Sequence, residues 1–143
     1  MFEACVKDLA EYTRRERNSP FGLQDLRAGD FLEQTHKFFK GALGLNVFPD
    51  KSVRKSLDEL KGFRNALAHH DGDTAQVPRS LLPRGTKNVP SLRVRVYADR
   101  HHEYAVPKEV YLRESLSLVA TYLEQLAEQV YAKLHPEPAQ DDA

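Results

Sequence analysis

The sequence predicts a mostly α-helical protein, a four-to-five-helix up-and-down bundle with one β-hairpin between the third helix and a long last helix. Apolar residues recur at helical spacing over four stretches, and one short stretch, residues 92–98, alternates as a strand does. The 143 residues are 41% hydrophobic and 29% charged, which is typical of an ordinary globular chain of one domain. We therefore expect a single helical domain over residues 1–135 and a disordered acidic tail over residues 136–143.

The bulk composition excludes several classes of protein. Basic and acidic residues both number 21, so a globally basic nucleic-acid binder is excluded, whereas a local basic patch is not. Cys5 is the one cysteine and cannot form an internal disulfide, which favours a reducing compartment. No apolar run approaches the roughly 18 residues of a membrane span, and the N-terminus is unlike a signal peptide. We expect a cytoplasmic protein without membrane contact.

Four amphipathic stretches place the helices. The first is predicted over about residues 2–17, and the second begins at residue 24 or 30 and ends before Gly44, a good C-terminal stop. The third covers about residues 51–69, and the last about 108–134. The residues expected on the buried stripe of the first helix are Phe2, Cys5, Val6, Leu9 and Thr13.

The last helix carries apolar residues at spacings of four, three, four, three and four. This is a heptad-type seam, suited to antiparallel packing or to a dimer. We expect the seam to serve the core first and an interface second. Its members are Leu112, Leu116, Val119, Leu123, Leu126 and Val130.

Basic residues collect around the predicted hairpin. Between Arg79 and Arg100 there are six basic residues and one acidic residue, a net charge of +5, which fits either a solvated loop or an anionic-ligand surface. The sequence predicts a long irregular loop over residues 73–90, and such loops are usually functional or mobile. The strand at residues 92–98 should return at about 102–106, with Leu92, Val94 and Val96 inward and Arg93 and Arg95 outward.

The end of the third helix carries the side chains that are suited to ligand binding or catalysis. Arg64 falls in the same helical arc as Leu60 and Phe63, so we expect a partly buried guanidinium that needs a carboxylate, a phosphate or water. Asn65 and His69 are four residues apart and share a neighbouring face. The structural alternative is an arginine paired with a carboxylate such as Glu33, an asparagine that caps a loop, and a histidine favoured by the helix dipole.

Other chemistries find little support. The histidine pairs at residues 69–70 and 101–102 are adjacent in sequence, and adjacent histidines rarely bind one ion. Cys5 is expected in a core stripe with no histidine near it in sequence, so a cysteine nucleophile is not indicated. We predict no metal and no cofactor.

The segment from Arg64 to His69, of sequence RNALAH, resembles the Arg-x(4–6)-His signature of the HEPN superfamily (higher eukaryotes and prokaryotes nucleotide-binding domain). The helical order, with the signature at the end of the third helix and one long last helix, is similar too. The resemblance implies a HEPN-type bundle and a metal-independent endoribonuclease, often a toxin or an antiviral (phage-defence) effector. Such proteins act as homodimers with two signatures facing each other, and they leave a 2′,3′-cyclic phosphate and a 5′-hydroxyl.

The residue types fit that chemistry. His69 would move protons near neutral pH, Arg64 would stabilise the developing phosphorane charge, and Asn65 would orient His69 or bind a phosphate oxygen. Arg64 and His69 lie about 140° apart around a helix, so two symmetry-related copies are expected to complete one site. The residues predicted to contact RNA are His70, Arg79, Arg84, Lys87, Arg93 and Arg95.

Partners and alternatives follow from the same resemblance. An antitoxin or a nucleotidyltransferase would be a partner of a toxin, although Asp71 stands where a toxin subgroup carries a modified tyrosine. A second reading is a non-catalytic HEPN-like module that dimerises and binds RNA, a nucleotide or a protein. A third is a helical adaptor that uses the seam of its last helix.

Overall fold

Within residues 1–82 and 94–138, the ranges that the computed structural model describes, the chain forms four α-helices and one antiparallel hairpin. The prediction of a mostly α-helical protein with a hairpin before a long last helix is confirmed. In these ranges no helix is long and apolar enough to cross a membrane. Residues 83–90 of the predicted loop and 139–143 of the predicted tail lie outside them. The elements are α1 (Phe2–Glu16), α2 (Phe31–Leu43), α3 (Lys51–His70), β1 (Val94–Ala98), β2 (Glu103–Pro107) and α4 (Glu109–Leu134).

The chain divides into two compact units. The first unit contains Met1–Asp50 and Val119–Ala143, and the second contains Lys51–Leu118. The long helix α4 therefore belongs to the second unit at its beginning and to the first unit at its end. The single-domain expectation for residues 1–135 stays a prediction.

Tyr122 lies in the core of the first unit. Its ring stacks on Phe48 with centroids 5.5 Å apart and contacts Phe2 at 5.9 Å. Its hydroxyl donates a 3.1 Å hydrogen bond to the backbone oxygen of Val47, and burial raises the pKa of that hydroxyl above its usual value. The end of α4 is thus tied into a core that α1 and α2 also line. The most fully buried hydrophobic residues of this unit are Val6, Ala10, Leu32, Phe39, Val47, Leu126 and Val130.

Local signals set the ends of α2. The Asp30 side chain accepts a 2.9 Å hydrogen bond from the Glu33 backbone N–H and caps the N-terminus. Gly44 adopts a left-handed conformation, φ 65°, and its N–H returns to the oxygens of Lys40 and Phe39. The predicted stop at Gly44 is confirmed, and of the two starts left open, the one at Asp30 is correct.

Cys5 is exposed, which contradicts its predicted place in the core stripe of α1. The stripe that α1 buries consists of Val6, Ala10 and Thr13. Because each residue turns the helix by about 100°, Cys5 lies beside this stripe and faces solvent. The first unit buries a narrower face of α1 than the sequence pattern indicates.

The second unit has its own core, in which the hairpin lies against α3 and the start of α4. The ring of Phe63 on α3 meets that of Tyr111 on α4 edge to face, with centroids 5.3 Å apart. Val94 is buried and Arg95 is exposed, so the inward and outward assignment is confirmed for these two residues. Val96 is partly buried, and Leu92 and Arg93 lie outside the described ranges. The core cluster is Phe63, Ala66, Val77, Leu81, Val94, Ala105 and Tyr111.

The heptad-type seam of α4 is buried only in part. Val119, Leu126 and Val130 are at most 8% exposed, as a core seam requires. Leu112 and Leu116, at the beginning of the helix, remain 48% and 62% exposed. The prediction that the seam serves the core is therefore confirmed for Val119, Leu126 and Val130 and wrong for Leu112 and Leu116, and Leu123 is partly buried. The expected second role of the seam, at an interface, stays a prediction.

Candidate functional site

The last turn of α3 presents His69 and His70 on the surface, and a specific turn ends the helix directly after them. Asp71 and Gly72 both have positive φ, 51° and 81°, which stops helical propagation. The Gly72 N–H reaches back to the oxygen of Ala66 at 3.0 Å, and the Asp73 N–H donates to the oxygen of His70 at 2.8 Å. These bonds fix the helix end, so the two histidines are held in place by backbone.

The hairpin fastens this turn. The Ala105 N–H donates to the oxygen of Gly72 at 2.7 Å, and the Thr74 N–H donates to the oxygen of Glu103 at 3.0 Å. Between them Asp73 and Tyr104 form an antiparallel bridge. A Cβ atom at position 72 would lie 2.6 Å from the oxygen of Ala105, so glycine is required there. The end of α3 and strand β2 are therefore neighbours.

Arg64 is exposed, and the prediction of a partly buried guanidinium is wrong. The buried residues of this part of α3 are Phe63 and Ala66. Arg64 stands at the margin of the apolar arc, from which a long side chain extends into water. One of its terminal nitrogens donates a 3.2 Å hydrogen bond to Oδ1 of Asn65. The guanidinium is thus presented to solvent rather than used by the core.

Asn65 stands between Arg64 and His69. Its carbonyl oxygen accepts from Arg64, which leaves its NH₂ group as the hydrogen-bond donor for other partners. His69, one helical turn further on, is exposed and lies on the face of Asn65. The arrangement offers two kinds of donor, a guanidinium and an amide, together with an imidazole that is able to accept and donate protons. These are the groups that bind an anion and transfer protons beside it.

Carboxylates surround the neighbouring part of the hairpin. Partial burial raises the pKa of the Tyr104 hydroxyl, and the negative charges of Asp99, Asp73 and Asp71 raise it further. At the hairpin turn, Asp99 accepts hydrogen bonds from the backbone N–H groups of His101 and His102, both at 2.8 Å. These two bonds lower the pKa of Asp99 and keep it ionised. The site therefore combines cations on α3 and β1 with anions on the turn that follows α3 and on the hairpin turn.

The predicted RNA contacts divide into described and undescribed residues. His70, Arg79 and Arg95 are exposed and belong to the same unit as Arg64. Arg79 lies in a short 3₁₀ turn, Arg79–Leu81, and Arg95 lies on the outer face of β1. The other three predicted contacts, Arg84, Lys87 and Arg93, lie outside the described residues.

A metal centre has no geometric support in the described part of the chain. Over residues 1–82 and 94–138, no three His, Cys, Asp or Glu side chains are grouped so that they would hold an ion. His101 and His102 lie at the hairpin turn, between β1 and β2. Their backbone N–H groups serve the Asp99 turn.

The candidate site consists of the exposed side chains of Arg64 and His69 and the partly buried side chain of Asn65, all at the end of α3. No protein-family model, curated protein or solved structure matches the chain. These three side chains and their surroundings in the second unit are therefore the features from which a function is inferred.

Two aromatic residues near the site are absent from the predicted contacts. Tyr97 and Tyr104 are directly opposite each other in the register of β1 and β2. The alternation of β1 places Tyr97 on the face of Arg95, and this part was visible in the sequence. The pairing with Tyr104 was not, because it depends on the register across the turn.

Proposed function

We propose that this protein is a metal-independent endoribonuclease of HEPN type, with its helices in an up-and-down bundle, and that it acts as a toxin or an antiviral-defence effector. The observation that supports this most is the exposure of Arg64 and His69 at the end of α3, with Arg64 hydrogen bonded to the partly buried Asn65. The guanidinium and the imidazole are therefore open to a phosphodiester at one helix end, with the partly buried amide beside them.

The proposed reaction is cleavage through the ribose 2′-hydroxyl. His69 accepts the 2′-hydroxyl proton, the 2′-oxygen forms a bond to phosphorus, and the bond from phosphorus to the 5′-oxygen breaks. The departing oxygen takes a proton from a second acid, and the products are a 2′,3′-cyclic phosphate and a 5′-hydroxyl. Arg64 and the NH₂ group of Asn65 donate hydrogen bonds to the non-bridging oxygens, whose negative charge grows in the transition state.

A second copy of the chain completes the site in this proposal. Arg64 and His69 are about 140° apart around α3, so one chain offers a base on one side and a cation on another. His69 of the second copy would supply the second proton group. The exposed leucines of the α4 seam, Leu112 and Leu116, provide an apolar surface on the same unit for such a partner.

The decisive experiment is RNA cleavage by the purified chain in the presence of EDTA. We expect cleavage to persist in EDTA and to fall by about 100-fold or more in Arg64→Ala and in His69→Ala, the usual size of an acid–base contribution. The matched controls are Arg27→Ala and His135→Ala, which remove an exposed arginine and an exposed histidine from the first unit. Cleavage that needs a metal, or that survives in His69→Ala, would contradict the proposal.

A second candidate is a non-catalytic HEPN-like module that binds RNA, a nucleotide or a protein partner. The carboxylates of Asp71, Asp73 and Asp99 favour it, because negative charges beside the site oppose the approach of a phosphate. RNA that is bound through Arg64 yet stays intact would decide for this candidate.

A toxin role implies a controlling partner, either an antitoxin or a nucleotidyltransferase. Asp71 follows the last turn of α3 at the position where a modifiable tyrosine stands in one toxin group. Control by tyrosine modification at that position is therefore not part of the proposal. Relief of growth inhibition by a protein encoded beside this chain would identify the partner.

A further inference from the structure

The hairpin carries an exposed aromatic surface that its own core does not use. On the outer side of the two strands, Tyr97 is opposite Tyr104 and Arg95 is opposite Val106, so these four side chains share one face. Tyr97 is 52% exposed and Val106 is 46% exposed. The opposite side of the hairpin supplies the buried residues, Val94 and Ala105.

A third aromatic group continues this surface. The imidazole of His102 lies with its centroid 6.0 Å from that of Tyr104, and His102 is exposed. We call Arg95, Tyr97, His102 and Tyr104 the hairpin platform. It combines planar rings, a guanidinium and, at its border, the carboxylates of Asp73 and Asp99, whose charges act on the Tyr104 hydroxyl.

This combination fits an unpaired nucleobase better than a phosphate. Aromatic rings stack on the face of any base, and a guanidinium beside them attracts the backbone. Carboxylates repel phosphate, but they accept hydrogen bonds from the N–H groups on the edges of bases. In a duplex both the faces and the pairing edges of the bases are occupied, so the platform selects single strands.

The platform is also next to the candidate site. Tyr104 forms its backbone bridge with Asp73, and the Asp73 N–H is bonded to the oxygen of His70. A base stacked on the platform therefore lies beside the chain segment that follows His69 and His70.

We propose that the hairpin platform binds unpaired bases of the RNA substrate by stacking, with Tyr97 as the main contact, and so restricts this protein to single-stranded RNA. The inference rests on the proposed RNA-directed function and names its substrate class. Arg95 holds the adjoining phosphate, and the bordering carboxylates accept base N–H groups.

The test measures binding of a single-stranded RNA oligonucleotide that contains 2-aminopurine, whose fluorescence is quenched when the base stacks. The full-length chain carries His69→Ala, so that the RNA stays intact. We expect Tyr97→Leu to weaken binding by about fivefold or more, the effect of one lost stack, and to abolish the quenching. Tyr97→Phe keeps the ring and should bind within about twofold of the parent, since stacking needs the ring and not the hydroxyl.

Tyr131→Leu is the matched control, because it removes a tyrosine that is 61% exposed in the other unit. It should leave binding unchanged, and a duplex of the same sequence should bind more weakly and without dependence on Tyr97. Equal binding by Tyr97→Leu and its parent would overturn the inference, as would equal affinity for duplex and single strand.

The outcomes separate the two proposals. Quenched binding through Tyr97 with no cleavage by the unmutated chain supports the platform and overturns the ribonuclease. Cleavage by the unmutated chain that Tyr97→Leu does not alter supports the ribonuclease and overturns the platform. If the chain binds no RNA, both the ribonuclease and the platform proposals are overturned. A protein partner that occupies this face in place of RNA would give that result.

Discussion

Replacement of Gly72 by alanine tests whether the turn after α3 holds the candidate site in place. Gly72 has φ 81°, its oxygen accepts from the Ala105 N–H at 2.7 Å, and a Cβ atom there would lie 2.6 Å from the oxygen of Ala105. An L-residue pays twice at this position, once for its left-handed backbone and once for the overlap with β2. The variant should therefore loosen the link between the hairpin and the helix end.

The magnitude follows from three contributions: the left-handed backbone, the overlap with β2 and the stretched hydrogen bond. A left-handed conformation costs an alanine about 1–2 kcal/mol. Overlap in a packed region typically costs about 1–3 kcal/mol, and a stretched backbone hydrogen bond adds about 0.5–1.5 kcal/mol. We expect Gly72→Ala to lower the free energy of unfolding by about 2.5–6.5 kcal/mol.

Two other glycines separate the contributions. Gly44 also has positive φ, 65°, but open space around its Cβ position, so Gly44→Ala should cost only the conformational part, about 1–2 kcal/mol. Gly41 lies inside α2 with no neighbour within 4 Å, and Gly41→Ala should stabilise by about 0.5–1 kcal/mol.

Urea unfolding followed by circular dichroism gives the three free energies, and RNA cleavage by the same variants reports on the site. We expect Gly72→Ala to lose cleavage at temperatures where it is still folded, whereas Gly44→Ala keeps it. If Gly72→Ala costs no more than Gly44→Ala, the overlap with Ala105 is not real and the account of this turn is wrong.

Three further predictions concern other parts of the chain. Hydrogen bonds from Arg14 and Arg15 hold the pKa of Glu11 at about 2 instead of 4.5. The stabilisation from these pairs is therefore complete above pH 4.5 and is lost as the pH falls towards 2. An NMR titration of the Glu11 carboxyl carbon measures this pKa. Tyr122→Phe removes the hydrogen bond to the buried oxygen of Val47 and should cost about 1–2 kcal/mol in urea unfolding. Leu116→Glu places a charge on the exposed seam of α4, and we expect it to convert the proposed dimer to a monomer in analytical ultracentrifugation and to reduce the proposed RNA cleavage.

A specific outcome would contradict each of these three predictions. If the carboxyl of Glu11 titrates near pH 4.5 in the folded chain, Arg14 and Arg15 do not lower its pKa. A Tyr122→Phe variant as stable as its parent would show that the bond to Val47 contributes nothing. Val110→Glu, about 120° from Leu116 around α4 and 55% exposed, is the control for the seam, and equal effects of the two glutamates would argue against a specific interface.

The helices were predictable because their signals are local. Asp30 and Gly44 end α2 through contacts within four or five residues, and such contacts are written in consecutive sequence. The same holds for the alternation of β1, which correctly placed Val94 inward and Arg95 outward. Fold class and element order follow from signals of this kind.

How deeply each helical side chain is buried was harder to predict from the sequence. A helical arc shows which side of α3 is apolar, but it does not show how far the core reaches around it, and Arg64 falls just beyond the edge. The seam of α4 is equally regular at Leu116 and at Leu126, yet only Leu126 is covered within the chain. Regular spacing predicts an apolar face and leaves its partner undetermined.

The arrangement of the candidate site depended on contacts between distant residues. Asp71 and Gly72 indicate a turn in any sequence, but the bond from Ala105 to Gly72 joins segments more than thirty positions apart. The pairing of Tyr97 with Tyr104 likewise depends on the register of the hairpin. The turn after α3 was therefore predictable, whereas its bond to β2 and the surface beside the candidate site were not.

The division of the chain has a consequence for its synthesis. The second unit is continuous, Lys51–Leu118, whereas the first is assembled from Met1–Asp50 and Val119–Ala143; Tyr12 and His135, which share a 2.9 Å hydrogen bond, are 123 positions apart. On the ribosome, the first fifty residues emerge early and wait for the last part of the chain, roughly 5–20 s at usual elongation rates. During that time the side chain of Phe39 and its neighbours have no core to enter, while the inserted unit is free to fold. The nascent chain is thus most exposed to aggregation or chaperone binding at its N-terminal helices.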